Sequence, residues 1–292
     1  MAAAANVQLD ELQEDQDPYS EERRNDYRLT LMRRLAAPKT IFFDWHGTLA
    51  DTFEAMYRAV DDMLPLLDEL GLAARLLPPG HGRTPEQETL VERVRQQRSL
   101  PPELKAERRI SRTEIFEILF GPDDDAKHCA HEAFDRCYLQ HFGEVQPFEP
   151  GVRAMLGKLR AAGLRTGMLT NRRRALFTHE LNKVDGTGWR ELFDVVVCGD
   201  DVRRRKPAPD MVHRALDALG LEPAADVWFV GDSTTDMMAA REAGVTAIYY
   251  NGAKWEAAYL ERIFPRTHRP DAIAGNFTAL EALALPPQRR SG

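Results

Sequence analysis

Short apolar runs alternate with amphipathic stretches along most of the chain from Thr40 onward. Each apolar run is followed by a polar loop and then by a stretch whose apolar residues recur at helical spacing. This alternation is typical of a parallel sheet that is covered by helices, because buried parallel strands are apolar on both faces. We therefore predict a doubly wound α/β fold. The predicted strands are 40–44, 165–170, 194–198, 226–231 and 245–250.

The amphipathic stretches between these strands predict the helices of the α/β core, at 150–162, 172–182, 209–219 and 234–243. One interval breaks the alternation, because about 95 residues separate the first strand from the helix at Pro150, far more than a strand–helix connection normally takes. We interpret this interval as an inserted helical domain. Its predicted helices are 52–70, 85–98, 112–119 and 125–142.

These patterns divide the chain into an α/β core and an insertion. We expect the core at 28–51 and 148–284, the helical insertion at 52–147, and a short tail at 285–292. Residues 1–27 are rich in Ala, Asp, Glu and Gln and hold few large apolar side chains. Such a segment buries too little apolar surface to offset the entropy of ordering, so we predict a disordered acidic arm.

Composition excludes several classes of protein. With 292 residues, 43% of them hydrophobic, the chain can bury a sizeable core. It has no apolar run long enough to cross a membrane, and its acidic start does not resemble a signal peptide, so we expect a cytoplasmic location. Three scattered cysteines give no disulfide framework. A net charge of −7 argues against a nucleic-acid partner.

Polar residues follow the first two apolar strands at the points where open parallel sheets bind ligands. The first strand ends in Asp44, followed by a turn through Gly47. A carboxylate can attack phosphorus and form an aspartyl phosphate if a positive charge offsets the repulsion between the two anions. The second strand ends in Thr170 and Asn171, whose hydroxyl and amide groups can donate hydrogen bonds to phosphoryl oxygens.

Two further motifs supply the charges that this chemistry requires. Lys206, next to Pro207, offers the cation, and Asp232 and Asp236 after the fourth strand offer carboxylates for Mg²⁺. Asp236 can bind the ion through water or position Lys206. Each motif alone also has a purely structural explanation, as helix-end charge, helix cap or exposed loop residue. Their joint occurrence at predicted strand ends favours a single phosphoryl-transfer site.

Together the motifs resemble the haloacid dehalogenase superfamily, in particular its phosphoglycolate-phosphatase-like members, which carry a helical cap after the first strand. The resemblance covers about residues 40–252 and includes the stretches at 147–152 and 241–245. It implies a hydrolase that cleaves a phosphorylated small molecule through an aspartyl-phosphate intermediate, with Mg²⁺ as cofactor. It also identifies the insertion as the cap.

The resemblance assigns roles to individual residues of this chain. It implies Asp44 as nucleophile, Thr170 and Asn171 as phosphate binders, and Lys206 as the group that neutralises charge. The implied Mg²⁺ ligands are Asp44, the backbone carbonyl of His46, Asp232 and, indirectly, Asp236.

His46 departs from the usual pattern, because phosphatases of this superfamily usually carry aspartate two residues after the nucleophile. An unperturbed imidazole has a pKa of roughly 6.5, so it can both protonate the leaving alcohol and activate water. The metal contact at this position is a backbone carbonyl and survives the change. The alternative is a catalytically weak or inactive protein that binds a ligand or, through its N-terminal arm, a protein partner.

Two enzymatic alternatives fit less well. Phosphonoacetaldehyde hydrolases have a similar first motif but require a cap lysine, and this chain has no lysine at 60–104. Haloacid dehalogenases need no Mg²⁺ and usually lack the paired acids seen here at Asp232 and Asp236.

Other polar clusters give weaker signals. His128, Cys129 and His131 match no strong zinc pattern. Three arginines at 172–174 begin a predicted helix, where cations are unfavourable unless an anion is near, so they hint at a phosphate-rich or larger anionic substrate. Arginines at 203–205 can add positive potential beside Lys206. Arg108, Arg109 and Arg112 can form a basic cap surface, although a solvated helix face explains them better. These clusters add no predicted site residue.

Overall fold

The computed structural model describes residues 35–82, 84–107, 110–141, 145–264 and 268–285. The elements below all belong to one compact unit, 36–292. The predicted acidic arm, the first part of the predicted core at 28–34 and nearly all of the predicted tail lie outside the described residues.

The predicted parallel sheet is present, and a second, two-stranded ladder accompanies it. The strands in chain order are β1 Thr40–Phe43, β2 Ala50–Asp51, β3 Gln146–Pro147, β4 Arg165–Thr170, β5 Val195–Cys198, β6 Val227–Gly231, β7 Thr246–Tyr250 and β8 Ala272–Ala274.

The large sheet has the strand order β5-β4-β1-β6-β7-β8, and every neighbouring pair in it is parallel. β1, β6 and β7 are buried along their whole length. Because helices cover both faces, these strands hold apolar residues at successive positions, which is why the sequence pattern locates them. β1 lies between β4 and β6, so the residues that follow these three strands meet at one edge.

The helices described in the structure alternate with the strands of the core and fill the insertion. In chain order they are α1 Phe53–Met63, α2 Pro85–Gln97, α3 Pro102–Glu107, α4 Arg112–Phe120, α5 Asp124–Tyr138, α6 Val152–Ala161, α7 Arg174–Lys183, α8 Asp210–Leu219, α9 Thr234–Glu242, α10 Ala257–Ile263 and α11 Phe277–Ala284.

The helices of the insertion share an apolar core of their own, drawn from α1, α2, α4 and α5. Aromatic rings fill much of it: Phe116 packs edge-on against Phe134, which stacks on Tyr138. The antiparallel pair β2 and β3 closes the base of the insertion. We call α1 to α5 the cap helices; the predicted domain limits of 52–147 stay a prediction.

Several predicted elements differ in extent from the structure. The helix predicted at 52–70 ends as an α-helix at Met63 and continues as the 3₁₀-helix Leu64–Leu67. Pro65 explains the change, because proline lacks the N–H that an α-helix interior requires. The helix predicted from residue 172 begins only at Arg174. β2, β3, β8, α3, α10 and α11 were not predicted, since segments this short carry little periodicity.

None of the helices in the described ranges is long and apolar enough to cross a membrane. The cytoplasmic location expected from the sequence stays a prediction.

Candidate active site

The polar residues that follow β1, β4 and β6 surround a small cavity of about 50 Å³. Parallel strands place their carboxyl ends at one edge of a sheet, so these residues converge although they are far apart in sequence. The cap helices close the cavity from the other side. Every site residue predicted from the sequence lines it: Asp44, His46, Thr170, Asn171, Lys206, Asp232 and Asp236.

Lys206 is the central cation of this site. Its ammonium group donates hydrogen bonds to Asp44 Oδ1 at 2.7 Å, to Asp236 Oδ1 at 2.7 Å and to the carbonyl of Leu169 at 3.0 Å. Burial opposes its charge, but the carboxylates of Asp236 and Asp44 outweigh burial and raise the pKa of Lys206. The lysine therefore stays charged and holds Asp44 by one carboxylate oxygen.

Asp44 sits in a buried setting that favours its neutral form. Burial raises its pKa to about 6, an effect that Lys206 opposes and Asp236 reinforces. The carboxylate is therefore ionised at neutral pH, and its nucleophilic charge is poorly solvated. Both properties suit a group that attacks phosphorus.

Asp44, Asp232 and Asp236 form a compact carboxylate cluster. Their oxygens lie within 4.8 Å of one another. Burial, followed by the charges of Asp44 and Asp236, raises the pKa of Asp232 well above its usual range. Thr48 Oγ1 donates to Asp232 Oδ1 at 3.1 Å. A hard divalent cation would relieve the repulsion between these carboxylates, so the donor set fits Mg²⁺.

The members of the cluster are not equally available to a cation. Asp236 already accepts hydrogen bonds from Lys206, the backbone N–H of Ser233 and Ser233 Oγ. Ser233 caps α9 reciprocally with Asp236, which fixes this carboxylate at the helix start. Asp44 and Asp232 therefore offer the freer oxygens, and Asp236 supports the site through Lys206.

Gly47 allows the loop after β1 to approach Asp232. Its φ is +76°, and a Cβ at this position would lie 2.2 Å from Asp232 Oδ2. Only glycine avoids both the backbone strain and the clash. The close approach places the loop that carries His46 directly beside the carboxylate cluster.

Asn171 uses its side-chain amide to hold the Lys206 loop. Its Nδ2 donates to the carbonyl of Lys206 at 3.0 Å, and its Oδ1 accepts from the N–H of Lys206 at 3.0 Å. Thr170 Oγ1 accepts from the N–H of Arg172 at 3.2 Å, which leaves its hydroxyl proton for another acceptor. The phosphate-binding role of Asn171 stays a prediction, and the amide contacts described here position Lys206.

His46 is enclosed by polar groups, and the carboxylate oxygen Oε2 of Glu180 lies 3.4 Å from its Nε2. Arg172 Nε donates to its Nε2 at 2.8 Å, Arg172 Nη2 lies 3.3 Å from its Nδ1, and Nδ1 also contacts Thr52 Oγ1. A guanidinium can only donate, so the shorter of its two contacts makes Nε2 the acceptor. A neutral ring then carries its proton on Nδ1, where Thr52 Oγ1 can accept it. Burial, with the charges of Arg172, Arg112 and Lys206, holds the pKa of His46 well below its usual range. The imidazole is therefore neutral around pH 7.

Two arginines of the cavity wall were not predicted as site residues. Arg112 comes from the first turn of α4 and is 7% exposed, and Arg172 follows β4 and is 2% exposed. The guanidinium of Arg172 lies over the ring of Tyr138, with a distance of 3.8 Å to its centroid. Arginine clusters were visible in the sequence, but nothing in it separates these two from their neighbours.

The other sequence-level hints have structural explanations. Arg173 pairs with Asp135 at 3.2 Å, and Arg174 pairs with Asp201. Protein carboxylates therefore balance the charges of these two arginines, and no substrate anion is needed to explain them. Arg204 pairs with Asp210 at 2.7 Å. Within the described ranges, the carboxylates of Asp44, Asp232 and Asp236 are the group of three His, Cys, Asp or Glu side chains close enough to hold a metal ion.

Comparison with known proteins identifies the family. The family model of haloacid dehalogenase-like hydrolases matches residues 38–244. The chain belongs to this family. Its membership confirms the predicted superfamily, the α/β fold class and the enzyme class.

Relatives of this hydrolase match nearly the whole chain. A protein named phosphoglycolate phosphatase from Salmonella paratyphi A is 30% identical over 259 residues, which are 87% of this chain and 96% of the relative. One of the same name from Yersinia pseudotuberculosis is 31% identical over 260 residues, 87% of this chain and 97% of the relative.

Solved structures show the same fold at lower identity. A structure from Lactobacillus delbrueckii subsp. bulgaricus has a TM-score of 0.57 at 20% identity, over 86% of this hydrolase and 100% of that chain. CbbY from Rhodobacter sphaeroides in complex with phosphate has a TM-score of 0.50 at 23% identity, over 83% and 96% of the two chains. At this identity the likeness concerns the fold alone.

Proposed function

We propose that this hydrolase is a Mg²⁺-dependent phosphatase that cleaves the phosphate ester of a small molecule through an aspartyl phosphate on Asp44. The observation that carries the proposal is the buried Lys206 ammonium, which bridges Asp44 and Asp236 beside Asp232. A carboxylate held by a cation next to a metal-binding cluster is the arrangement that phosphoryl transfer to an aspartate requires. The names of the relatives make 2-phosphoglycolate the first substrate to test.

In the first half-reaction, a carboxylate oxygen of Asp44 attacks phosphorus. The bond from phosphorus to the ester oxygen breaks, and the leaving oxygen takes the proton of the phosphate monoester monoanion, so the product leaves as the alcohol. Lys206 keeps Asp44 ionised and oriented through Oδ1, and the hydroxyl of Thr170 can donate to a phosphoryl oxygen. The enclosed cavity excludes bulk water, which strengthens these electrostatic contacts.

The proposed cation site uses the freer carboxylates. Asp44 and Asp232, with the backbone carbonyl of His46, would hold Mg²⁺, and Asp236 would act through its contacts with Lys206 and Ser233. When bound, the ion neutralises charge between the nucleophile and the phosphoryl group and orients both.

In the second half-reaction, water attacks phosphorus and the bond to Asp44 breaks, which releases phosphate. The water proton needs an acceptor. His46 is neutral, and its unprotonated Nε2 can take the proton when Arg172 moves away from it. A neutral imidazole suits this half-reaction better than protonation of the leaving alcohol in the first.

A second candidate function is favoured by the same contacts. Both nitrogens of His46 already have partners, Arg172 and Thr52, so a protein that binds a phosphorylated ligand but turns it over slowly also fits. A protein partner has no support from the comparisons, and the N-terminal arm predicted to contact one lies outside the described residues. Turnover is the property that separates the two candidates.

A panel of phosphorylated metabolites, 2-phosphoglycolate among them, tests the proposal. Phosphate release is measured with MgCl₂ for the wild-type protein and for Asp44→Asn. The phosphatase hypothesis predicts turnover of at least one substrate, lost in Asp44→Asn. Release that never exceeds the Asp44→Asn background would leave the ligand-binding function as the better account.

A further inference from the structure

Four arginines gather where the cap helices meet the core, and three of them surround the carboxylate of Asp135. Asp135 of α5 is buried, with 4% of its surface exposed. Its oxygens lie 2.6 Å from Arg112 Nη1, 3.2 Å from Arg173 Nε and 3.9 Å from Arg205 Nη1. Three guanidiniums therefore share this carboxylate, and Arg173 has a second acidic partner in Glu132 at 3.6 Å.

The fourth arginine, Arg172, stays charged, because Tyr138 and Glu180 outweigh the effect of burial and raise its pKa. Its nearest carboxylate is Glu180, whose Oε1 lies 3.8 Å from Arg172 Nη2. Glu180 already accepts hydrogen bonds from Tyr138 at 2.7 Å and from Trp45 at 3.0 Å. Four guanidiniums thus face the three carboxylates of Asp135, Glu132 and Glu180. Arg112 and Arg172 are the buried members of the group, and a buried charge needs a partner.

Only two of the four arginines, Arg112 and Arg172, line the active-site cavity. Arg172 Nη1 is buried and has no hydrogen-bond partner among the residues that the structure describes. Beyond Asp135, Arg112 lies over the ring of Phe134, 4.4 Å from its centroid, and makes a long hydrogen bond of 3.5 Å from Nη2 to the carbonyl of Asn171. Burial, together with the charge of Arg172, lowers the pKa of Arg112 to about 10 although Asp135 opposes the shift. An anion between the two guanidiniums would offset the repulsion between their positive charges.

We infer that Arg112 and Arg172 bind a second anionic group of the substrate, a carboxylate, while Asp44 receives the phosphoryl group. The inference rests on the proposed phosphatase function and extends it to the substrate class. A guanidinium offers two parallel N–H donors that match the two oxygens of a carboxylate. The substrate is then a phosphorylated short-chain hydroxy acid.

The size of the cavity favours a carboxylate on a short linker. Its volume of about 50 Å³ has room for roughly four water molecules. Both the phosphoryl site at Asp44 and the guanidiniums line this one space, so the two anionic groups must be close together. In 2-phosphoglycolate a single methylene group separates the ester oxygen from the carboxylate. A phosphate ester of the same size that lacks the carboxylate would leave Arg172 Nη1 without an acceptor.

A matched pair of substrates tests the inference. The value of kcat/KM is measured for 2-phosphoglycolate and for its carboxamide, which keeps shape and phosphate but lacks the second charge. We expect the wild-type protein to prefer the carboxylate by about 30-fold or more, because removing one partner of a buried charge pair costs this much. Arg112→Gln should bring the ratio close to one, and Arg112→Lys should retain part of it.

Arg75→Gln is the matched control, since Arg75 is a cap arginine outside the cavity that pairs with Asp123. It should keep the wild-type ratio. A wild-type ratio within about threefold of one would overturn the inference. It would also be overturned if Arg112→Gln lowered kcat/KM for the two compounds equally while Arg112→Lys kept the full ratio.

Binding to Asp44→Asn separates this inference from the proposed function. Calorimetry measures the affinity of that variant for the two compounds without any turnover. Tighter binding of 2-phosphoglycolate, lost when Arg112→Gln is added, supports the carboxylate subsite even if the wild-type protein hydrolyses neither compound. Equal affinity for both compounds rules out the subsite, whatever the wild-type protein turns over.

Discussion

Arg172 Nε donates a 2.8 Å hydrogen bond to Nε2 of His46, and this contact defines the state of the imidazole. The donor can approach only an unprotonated nitrogen, so the ring is a potential base whose lone pair is occupied. Arg172 also lines the cavity and carries an Nη1 that is unpaired within the described structure. His46, the atypical residue of the first motif, is thus hydrogen-bonded to an arginine that we place in the substrate site.

His46 variants test proton transfer. His46→Ala should lower kcat about 10- to 100-fold, the usual range for a lost general base. His46→Asp should match or exceed the wild-type rate, because aspartate is the usual residue here in the superfamily. Steady-state phosphate release checks both variants, with the exposed His213→Ala as control. Equal rates for wild type and His46→Ala would show that the imidazole transfers no proton.

Lys206→Met should abolish phosphatase activity and lower the free energy of unfolding. Without the ammonium, Asp44 and Asp236 remain buried with no cation between them. Breaking a buried ion pair in this way costs about 3 to 5 kcal/mol of the free energy of unfolding. Denaturant unfolding measures the loss, and Lys158→Met, which removes an exposed lysine paired with Glu281, should cost less than about 1 kcal/mol. Similar losses for the two variants would contradict the central role of Lys206.

Mg²⁺ should stabilise the folded protein through the carboxylate cluster. A ligand that binds only the native state raises the midpoint of thermal unfolding as its concentration rises. We expect this rise for wild type and its near absence for Asp232→Asn, whereas Asp217→Asn, on the exposed side of α8, should behave as wild type. Thermal unfolding with increasing MgCl₂, starting from EDTA, is the measurement. An undiminished rise in Asp232→Asn would exclude Asp232 as a ligand.

Glu114 should make stability depend on pH. Burial raises its pKa from an ordinary 4.5 to about 7, although Ser111 donates to its carboxylate at 2.9 Å from N and 3.2 Å from Oγ. The folded state therefore keeps a proton that the unfolded chain has lost, so stability falls as pH rises from about 4.5 to about 7.

Glu114→Gln keeps a hydrogen-bond acceptor for Ser111 but cannot ionise. In EDTA, its free energy of unfolding should exceed that of wild type at pH 8 and approach it at pH 4.5. The exposed cap residue Glu103 provides the control as Glu103→Gln, which should follow the wild-type pH dependence. The assignment is wrong if Glu114→Gln is no more stable than wild type at pH 8.

The sequence predicts those parts of the site that depend on local pattern. Asp44, Thr170 and Asp232 end buried strands, and the edge at which parallel strands end is common to all of them. Arg112 and Arg172 could not be singled out, because one lies in the cap and the other after β4. Their meeting depends on how α4 and α5 pack on the core. The low pKa of His46 depends on the same packing, since it requires burial and three cations from distant segments.

The covalent intermediate provides the most direct test of the central claim. The protein is mixed with ³²P-labelled substrate and MgCl₂, quenched in acid within the first turnover, and digested for peptide mapping. We predict label on the peptide that contains Asp44, released by hydroxylamine as expected for an acyl phosphate, and none in Asp44→Asn. Turnover of substrate without any label on this peptide would contradict the proposed role of Asp44 as nucleophile.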